Sequence, residues 1–276
     1  MKRKFVSASL LLLSTIAFCF TSCKKENLKS TTSVNSTTSD EVVEKQLATS
    51  LVARYPFNGN TKDVSGKNNN VAVISGAVPA AGKSGTPKTA YYFNGASYME
   101  VPNSASLNMD YISLVAQVKI QGFYQGACHG NRIISKGYND FANGRYTLSF
   151  SDMLYYNYAG CNFTVQPNFQ NFEGGFGNGQ ASASGTVDSS HYIKQDKWYT
   201  VIYTYDGAFS KLYVNGSLVS SAQISTSFTP NTSSLFIGRN EDPGYPYYFT
   251  GVIDEIRIYN KALNPAQVKS ITNVLQ

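Results

Sequence analysis

The chain has 276 residues, 42% of them hydrophobic and only 14% charged, with a formal net charge of +6. That supplies enough apolar side chain for a globular core and too little charge for a disordered polyelectrolyte. Lys2, Arg3 and Lys4 are three of the 23 basic residues, so the remainder carries 20 basic against 17 acidic residues, a net +3, and from Arg54 to Lys269 the basic residues are scattered singly; nucleic-acid binding, which needs basic residues clustered on one face, is excluded on that ground.

In chain order, the basic Lys2–Lys4 leads into the apolar stretch Phe5 to Phe20, and small residues Thr21 and Ser22 precede Cys23. The stretch is shorter than the roughly 20 residues a spanning helix needs, and its flanks are those of an export signal. Phe20-Thr21-Ser22-Cys23 resembles a lipobox, with Phe20 where leucine is more usual. The resemblance implies residues 1–22 as a lipoprotein signal peptide and Cys23 as the lipidated residue. The chain would then be anchored to a bacterial membrane, expected to be the outer membrane, facing the cell surface or the periplasm. The plainer alternative is an ordinary secretory signal in which Cys19 and Cys23 fall by chance. Residues 24–50, rich in Ser and Thr with an acidic patch at Asp40, Glu41 and Glu44, read with Cys23 as a flexible tether over 23–50. Export also means an oxidising compartment, so Cys128 and Cys161 are expected to form one disulfide. His129 and His191 are the only histidines, and neither stands at zinc-ligand spacing.

From Leu51 the pattern changes to short β-rich runs divided by Gly, Asn, Asp and Pro, an all-β signal over one domain, 51–276. Leu51, Ala53, Tyr55 and Phe57 share a parity. Tyr111 to Ile120 is the clearest strand, with Ile112, Leu114, Ala116, Val118 and Ile120 on one face. Tyr146, Leu148 and Phe150 mark another. Lys197 to Asp206 and Phe209 to Asn215 predict a hairpin, and Asn215-Gly216 predicts a type I′ turn into Ser217 to Ile224, because both central residues must take positive φ. At the end, Asn264 is a helix cap, Pro265 fits the first turn, and Val268, Ile271 and Val274 make an apolar stripe, so one short helix closes the chain.

Several short pieces occur in order: Asp63-Val64-Ser65-Gly66, Phe93-Asn94-Gly95, Ile133-Ile134-Ser135-Lys136, Trp198, Leu212-Tyr213-Val214-Asn215-Gly216, Phe236-Ile237-Gly238-Arg239 and Gly251-Val252-Ile253-Asp254-Glu255-Ile256-Arg257-Ile258-Tyr259. Together they resemble a laminin-G-like jelly-roll domain of the concanavalin A-like lectin and glucanase superfamily, over about Leu51 to Ile271. The resemblance implies a two-sheet antiparallel jelly-roll sandwich whose first and last strands lie close together.

In similar domains an early loop aspartate and the aspartate of the last strand meet at a bound calcium, which implies Asp63 and Asp254 as ligands of a structural calcium, with Asn58, Asn68 and carbonyls as additions. Calcium takes roughly six to eight oxygens, which a loop such as Asn58 to Gly66 can help to supply. Asp254 shares parity with Ile256 and Ile258, so it is expected to start out facing the core, where a carboxylate must find a partner. The alternative is that Asp63 closes an Asx-turn and Asp254 accepts from backbone amides.

Catalysis finds little support. Retaining glucanases need two carboxyls about 5 Å apart, and Glu100, Glu173, Glu241 and Glu255 are isolated from one another in sequence. No Ser/His/Asp arrangement is in view either, so the chain is expected not to be an enzyme. Aromatics among Gly, Asn and Gln suit sugar recognition, because a ring face stacks on C–H groups while amides bond hydroxyls. Tyr155, Tyr156, Tyr158, Phe163, Phe169, Phe172 and Phe176 form one group, and Tyr245, Tyr247, Tyr248 and Phe249 a second. Phe172, Phe176, Tyr245, Tyr247 and Tyr248 are the candidate ligand-binding residues, against the alternative that such rings pack within the sandwich. The expected function is a membrane-anchored module that binds carbohydrate, a surface glycan or polysaccharide. A structural or adhesive protein-binding domain is the second reading, and a divergent carbohydrate-active enzyme the third.

Overall fold

The computed structural model describes residues 39–126, 130–137, 145–151, 171–177, 179–182 (backbone only), 193–224 and 226–276. The elements are α1 (Ser39–Leu47), β1 (Leu51–Tyr55), β2 (Val73–Ser75), β3 (Val78–Ala80), β4 (Ala90–Asn94), β5 (Tyr98–Val101), β6 (Ile112–Gly122), β7 (Asn131–Lys136), β8 (Tyr146–Ser151), β9 (Asn171–Phe176), β10 (Gly179–Ser182), β11 (Trp198–Tyr205), β12 (Phe209–Val214), β13 (Ser217–Gln223), β14 (Leu235–Ile237), β15 (Thr250–Tyr259) and α2 (Pro265–Val274). They form two antiparallel sheets. One runs β13-β12-β11-β6-β15-β4-β3, with β1 also paired to β15; the other runs β10-β9-β8-β7-β14-β5-β2. The all-β jelly-roll sandwich is thus present, and first and last strands pair as expected, Leu51 opposite Tyr259 and Tyr55 opposite Ile256.

Alternation along each strand builds the core between the sheets. Ile112, Leu114, Ala116, Val118 and Ile120 of β6 face Tyr146, Leu148 and Phe150 of β8 across a single buried cluster. Rings cross the gap: Phe176 stacks on Tyr205 at 4.6 Å, and Phe172 meets Tyr199 edge-on at 5.3 Å. Gly174 lies under Tyr203 so closely that a Cβ would sit 2.1 Å from the ring, and only glycine lets the sheets approach there. The Asn215-Gly216 turn has φ of 49° and 82°, as a type I′ turn requires.

Two bulges override simple parity. One extra residue in β1 shifts the register between Leu51 and Ala53, so Val52 and Ala53 both enter the core while Leu51 packs on the opposite side of the sheet. In β15 the register shifts between Ile253 and Glu255. Ile253, Ile256 and Ile258 all reach the core, and the extra residue is Asp254, which stays half-buried instead of pointing inward.

The outer face of the eight-stranded sheet carries a second cluster, where Val115, Ile202, Tyr213 and Tyr259 meet Leu47, Val268, Ile271 and Leu275. Asn264 caps α2 with a full capping box. The stripe ends differently from expectation: Val274 is exposed and Leu275 buried, because the helix stops at Val274 and the next residue turns back onto the sheet. The expected tether also changes after residue 38. Residues 39–47 form α1, Asp40 and Glu41 lie in its first turn where they favour the helix dipole, and Leu47 is 1% exposed. Arg257 donates through Nη1 to Glu44, so the acidic patch serves as a docking contact.

Candidate functional site

Opposite the core, the seven-stranded sheet presents a polar face. Thr147, Ser149 and Ser151 alternate with the core residues of β8, while Asn171 and Glu173 do so on β9 and Arg132 and Ser135 on β7. Except for half-buried Glu173, all of these are buried. Such groups need hydrogen-bond partners. Ser151 Oγ donates to Glu173 Oε1 at 3.0 Å and Ser135 Oγ to Asn240 Oδ1 at 3.0 Å. Asn171 is 2% exposed, yet among the described residues neither its Nδ2 nor its Oδ1 has a partner. Leaving such an amide unmet costs about 1–3 kcal/mol.

Along this sheet runs a rim built by the loop that joins β14 to β15. Backbone bonds close the loop on itself, Phe249 N to Gly238 O at 2.9 Å and Asn240 N to Pro246 O at 2.7 Å, and Arg132 N donates to Tyr247 O at 2.9 Å. Tyr247 takes φ 46°, buries its ring and lies 5.0 Å from the Arg132 guanidinium. Tyr245 is 45% exposed with its centroid 6.1 Å from that of Tyr247. Tyr124 approaches Tyr247 at 6.5 Å and Tyr248 at 6.1 Å. Burial first, then the neighbouring Tyr248, pushes the Tyr124 phenol above its ordinary range, so it stays a neutral donor. At the other end of the loop Arg239 lies 4.4 Å from the Tyr98 ring and 4.8 Å from Phe236.

Of the ring residues singled out from sequence, Tyr245, Tyr247 and Tyr248 come together here. Phe172 and Phe176 do not: both are 2% exposed or less and pack inside the sandwich against Tyr199, Tyr205 and Phe228, leaving no ring face for a ligand. Their alternation with Asn171 and Glu173 is the signal that assigns them to the core and their neighbours to the outer face. Tyr98, Tyr124, Arg132, Phe236 and Arg239 join the rim only through pairing and loop closure, which no local pattern announces. Cys23, Cys128, Cys161, His129, His191 and Tyr155 to Phe169 lie outside the described residues.

The two aspartates have separate partners. Asp63 Oδ1 accepts from the backbone N–H of Arg54 (2.9 Å) and Ser65 (2.8 Å), and Oδ2 from Ser65 Oγ (2.8 Å) and Asn69 N (2.9 Å). A carboxylate offers about four lone-pair sites, and here all are met by donors whose hydrogens stand where a cation would sit. This is the Asx-turn alternative extended into a loop clamp, and it does not fit a calcium ion at Asp63. Asp254 Oδ2 accepts from Lys83 N at 2.7 Å. Burial raises the Asp254 carboxyl above its ordinary range, the Lys83 amide lowers it, and neighbouring Glu255 raises it again. Among the described residues no three His, Cys, Asp or Glu side chains group so as to hold a metal ion.

The glutamates are dispersed. Glu100 accepts from Ser234 Oγ at 2.8 Å, while Glu255, on the outer face of the other sheet, accepts from Arg54 Nε at 2.7 Å and Arg257 Nε at 2.5 Å.

Among solved structures, domain 4 of AbnA, an extracellular arabinanase from Geobacillus stearothermophilus in complex with arabinotriose, is similar at 22% identity and a TM-score of 0.58, covering 80% of this chain and 98% of that one. The binding domain of Paraclostridial Mosquitocidal Protein 1 is similar at 19% identity and a TM-score of 0.61, over 83% of this chain and 53% of that one. The binding domain of botulinum neurotoxin DC, in complex with rat synaptotagmin II, is similar at 17% identity and 0.58, over 83% and 52%. The chain thus spans about half of each toxin domain structure. At these identities the likeness is one of fold. No curated protein matches in sequence. Residues 93–269, more than half of the chain and running from the end of β4 through β15, match the laminin G-like family described as the concanavalin A-like lectin/glucanases superfamily. By that match and by its two-sheet jelly roll, the chain belongs to the laminin G-like concanavalin A-like lectin/glucanase superfamily.

Proposed function

We propose that this chain is a membrane-anchored, non-catalytic module that binds a surface glycan or polysaccharide through the outer face of its seven-stranded sheet and the tyrosine rim beside it. The observation that carries the reading is the cluster of exposed Tyr245 and half-buried Tyr124 and Tyr248 around Tyr247, whose ring lies 5.0 Å from Arg132 on the polar face of the seven-stranded sheet. Ring faces stack on sugar C–H groups, and amide and hydroxyl groups bond sugar hydroxyls. The arabinotriose complex of one structural neighbour is in keeping with it. The non-catalytic part is supported by glutamates with unrelated partners on different strands and loops. The anchoring part is supported by the lipobox-like Phe20-Thr21-Ser22-Cys23.

The test is a glycan array with the full-length protein. Binding to at least one polysaccharide, weakened about tenfold by Tyr245→Ala with the melting temperature unchanged, is the expected result; silence across the array overturns it. A second reading, docking of another protein, is favoured by Val73, Ile74 and Val78, which are 41–51% exposed on the edge strands β2 and β3. Self-association or partner capture lost in Ile74→Lys, with the array silent, would support that reading instead.

A further inference from the structure

We propose that the ligand taken at this rim is acidic, a polysaccharide bearing carboxylates, and that Arg239 binds the carboxylate. The inference rests on the carbohydrate reading above and narrows it to one substrate class.

Arg239 follows β14 and lies between the ring of Tyr98 and the loop that carries the tyrosines. Its guanidinium is fixed in plane by two backbone carbonyls: Nε donates to Asn240 O at 2.8 Å and Nη2 to Glu241 O at 3.1 Å. These bonds use one edge of the fork and leave Nη1 and the second Nη2 hydrogen directed away from the loop. The residue is half-buried, and none of its guanidinium nitrogens is among the buried side-chain atoms left without a partner.

The charge of Arg239 is unmatched. Arg54 and Arg257 share Glu255, whereas Arg239 forms no ion pair among the described residues. Of the neighbouring acids, Glu100, directly across from Phe236 in the ladder, accepts from Ser234 Oγ, and Asp242 Oδ1 accepts from Gly244 N. Glu241 meets Arg239 through its backbone carbonyl and not through its carboxylate, whose Oε2 is buried without a hydrogen-bond partner among the described residues. The faces of Tyr98 and Phe236 offset part of the unpaired charge and hold the cation flat. A planar cation with one free edge, braced from behind and next to stacking rings, matches a planar carboxylate better than a neutral hydroxyl. The bond from Asn240 N to Pro246 O ties the residue after Arg239 to the segment that carries Tyr245 and Tyr247, so a ring and an acid group of one glycan chain can be engaged together.

The test measures binding of the full-length protein to polygalacturonate, alginate and hyaluronan, each next to its carboxyl-reduced form, at low and high salt. The expected result is that at least one acidic polymer binds about tenfold or more tightly than its reduced counterpart and that salt erodes the difference. Arg239→Gln removes the difference while affinity for the reduced form persists, and Arg239→Lys recovers part of it. A purely structural arginine would shift the melting temperature and leave the ratio between acidic and reduced forms unmoved. Equal binding of the two forms, or a ratio unchanged in a folded Arg239→Gln, overturns the inference and leaves the carbohydrate reading standing. Absence of binding to these polymers and to every glycan on the array overturns both. The comparison between polymer forms needs no variant, so it decides the matter even if Arg239→Gln does not fold.

Discussion

Replacing Glu255 by alanine removes the one carboxylate that two arginines share. Glu255 Oε1 accepts from Arg54 Nε at 2.7 Å and Arg257 Nε at 2.5 Å, and the Arg257 side chain is only 2% exposed. Burial works against the Arg257 charge, but Glu255, Tyr259 and Glu44 together outweigh it, so the guanidinium is held more firmly charged than usual. Arg257 cannot escape by losing its proton, so without Glu255 it remains a buried cation facing Glu44, whose side chain is 30% exposed. Breaking a buried pair costs about 3–5 kcal/mol, and the surviving Glu44 contact argues for the lower end, about 3 kcal/mol. At about 2–4 °C per kcal/mol for a domain of this size, the melting temperature should fall by about 6–12 °C. Thermal unfolding of the full-length protein followed by circular dichroism measures it. Glu44→Ala, which removes the partly exposed partner, should cost about 1 kcal/mol or less. The double replacement Glu255→Leu with Arg257→Met should recover most of the loss, since an apolar pair needs no counter-charge. If Glu255→Ala melts within about 2 °C of the parent, the account of this cluster is refuted.

Gly174→Ala should destabilise the sandwich by at least about 1–3 kcal/mol, because its Cβ would lie 2.1 Å from the Tyr203 ring and the sheets would have to part; urea unfolding reads the change. Asp63→Ala should cost at least about 2 kcal/mol by releasing three backbone N–H groups and a hydroxyl at once. Because those donors fill the carboxylate, a chelator should leave the parent's melting temperature unchanged; a drop that disappears in Asp63→Asn would show a calcium ion there after all. Burial lowers Lys136 to about 8, against the pull of Glu241. Above pH 8 the unfolded chain therefore holds the proton more firmly than the folded one, so stability should rise with pH between about 8 and 10 relative to Lys136→Met. Parallel pH profiles for the two proteins would contradict this.

Much of the fold was legible in sequence because it rests on local rules. The alternation in Ile112 to Ile120, the positive φ demanded at Asn215-Gly216 and the helix cap at Asn264 each depend on residues a few positions apart, and each is found as read. Parity failed wherever a bulge entered: Leu51 and Asp254 face away from where a strict period of two would put them, since one extra residue reverses the faces and leaves no mark in the alternation itself. The acidic stretch Asp40 to Glu44 read as tether because a short helix in isolation is marginal, and its stability comes from Leu47 and Arg257 contacts with a sheet that begins only later in the chain.

The candidate site divides the same way. Composition singled out Tyr245, Tyr247 and Tyr248, and the order of short motifs from Asp63 to Tyr259 was sufficient for the family. Composition could not separate these tyrosines from Phe172 and Phe176, because an aromatic ring suits a buried strand and a sugar platform equally well. The side of the sheet decides, and that is set by register with β8 and by packing against β11. Asn171, Arg132, Tyr98 and Arg239 are far apart in sequence and reach one face only when β9, β8, β7, β14 and β5 pair in that order. Whether a carboxylate or a guanidinium is already paired is likewise a matter of partners distant in sequence: Asp63 is filled by Arg54 and Asn69, and Arg239 is left open.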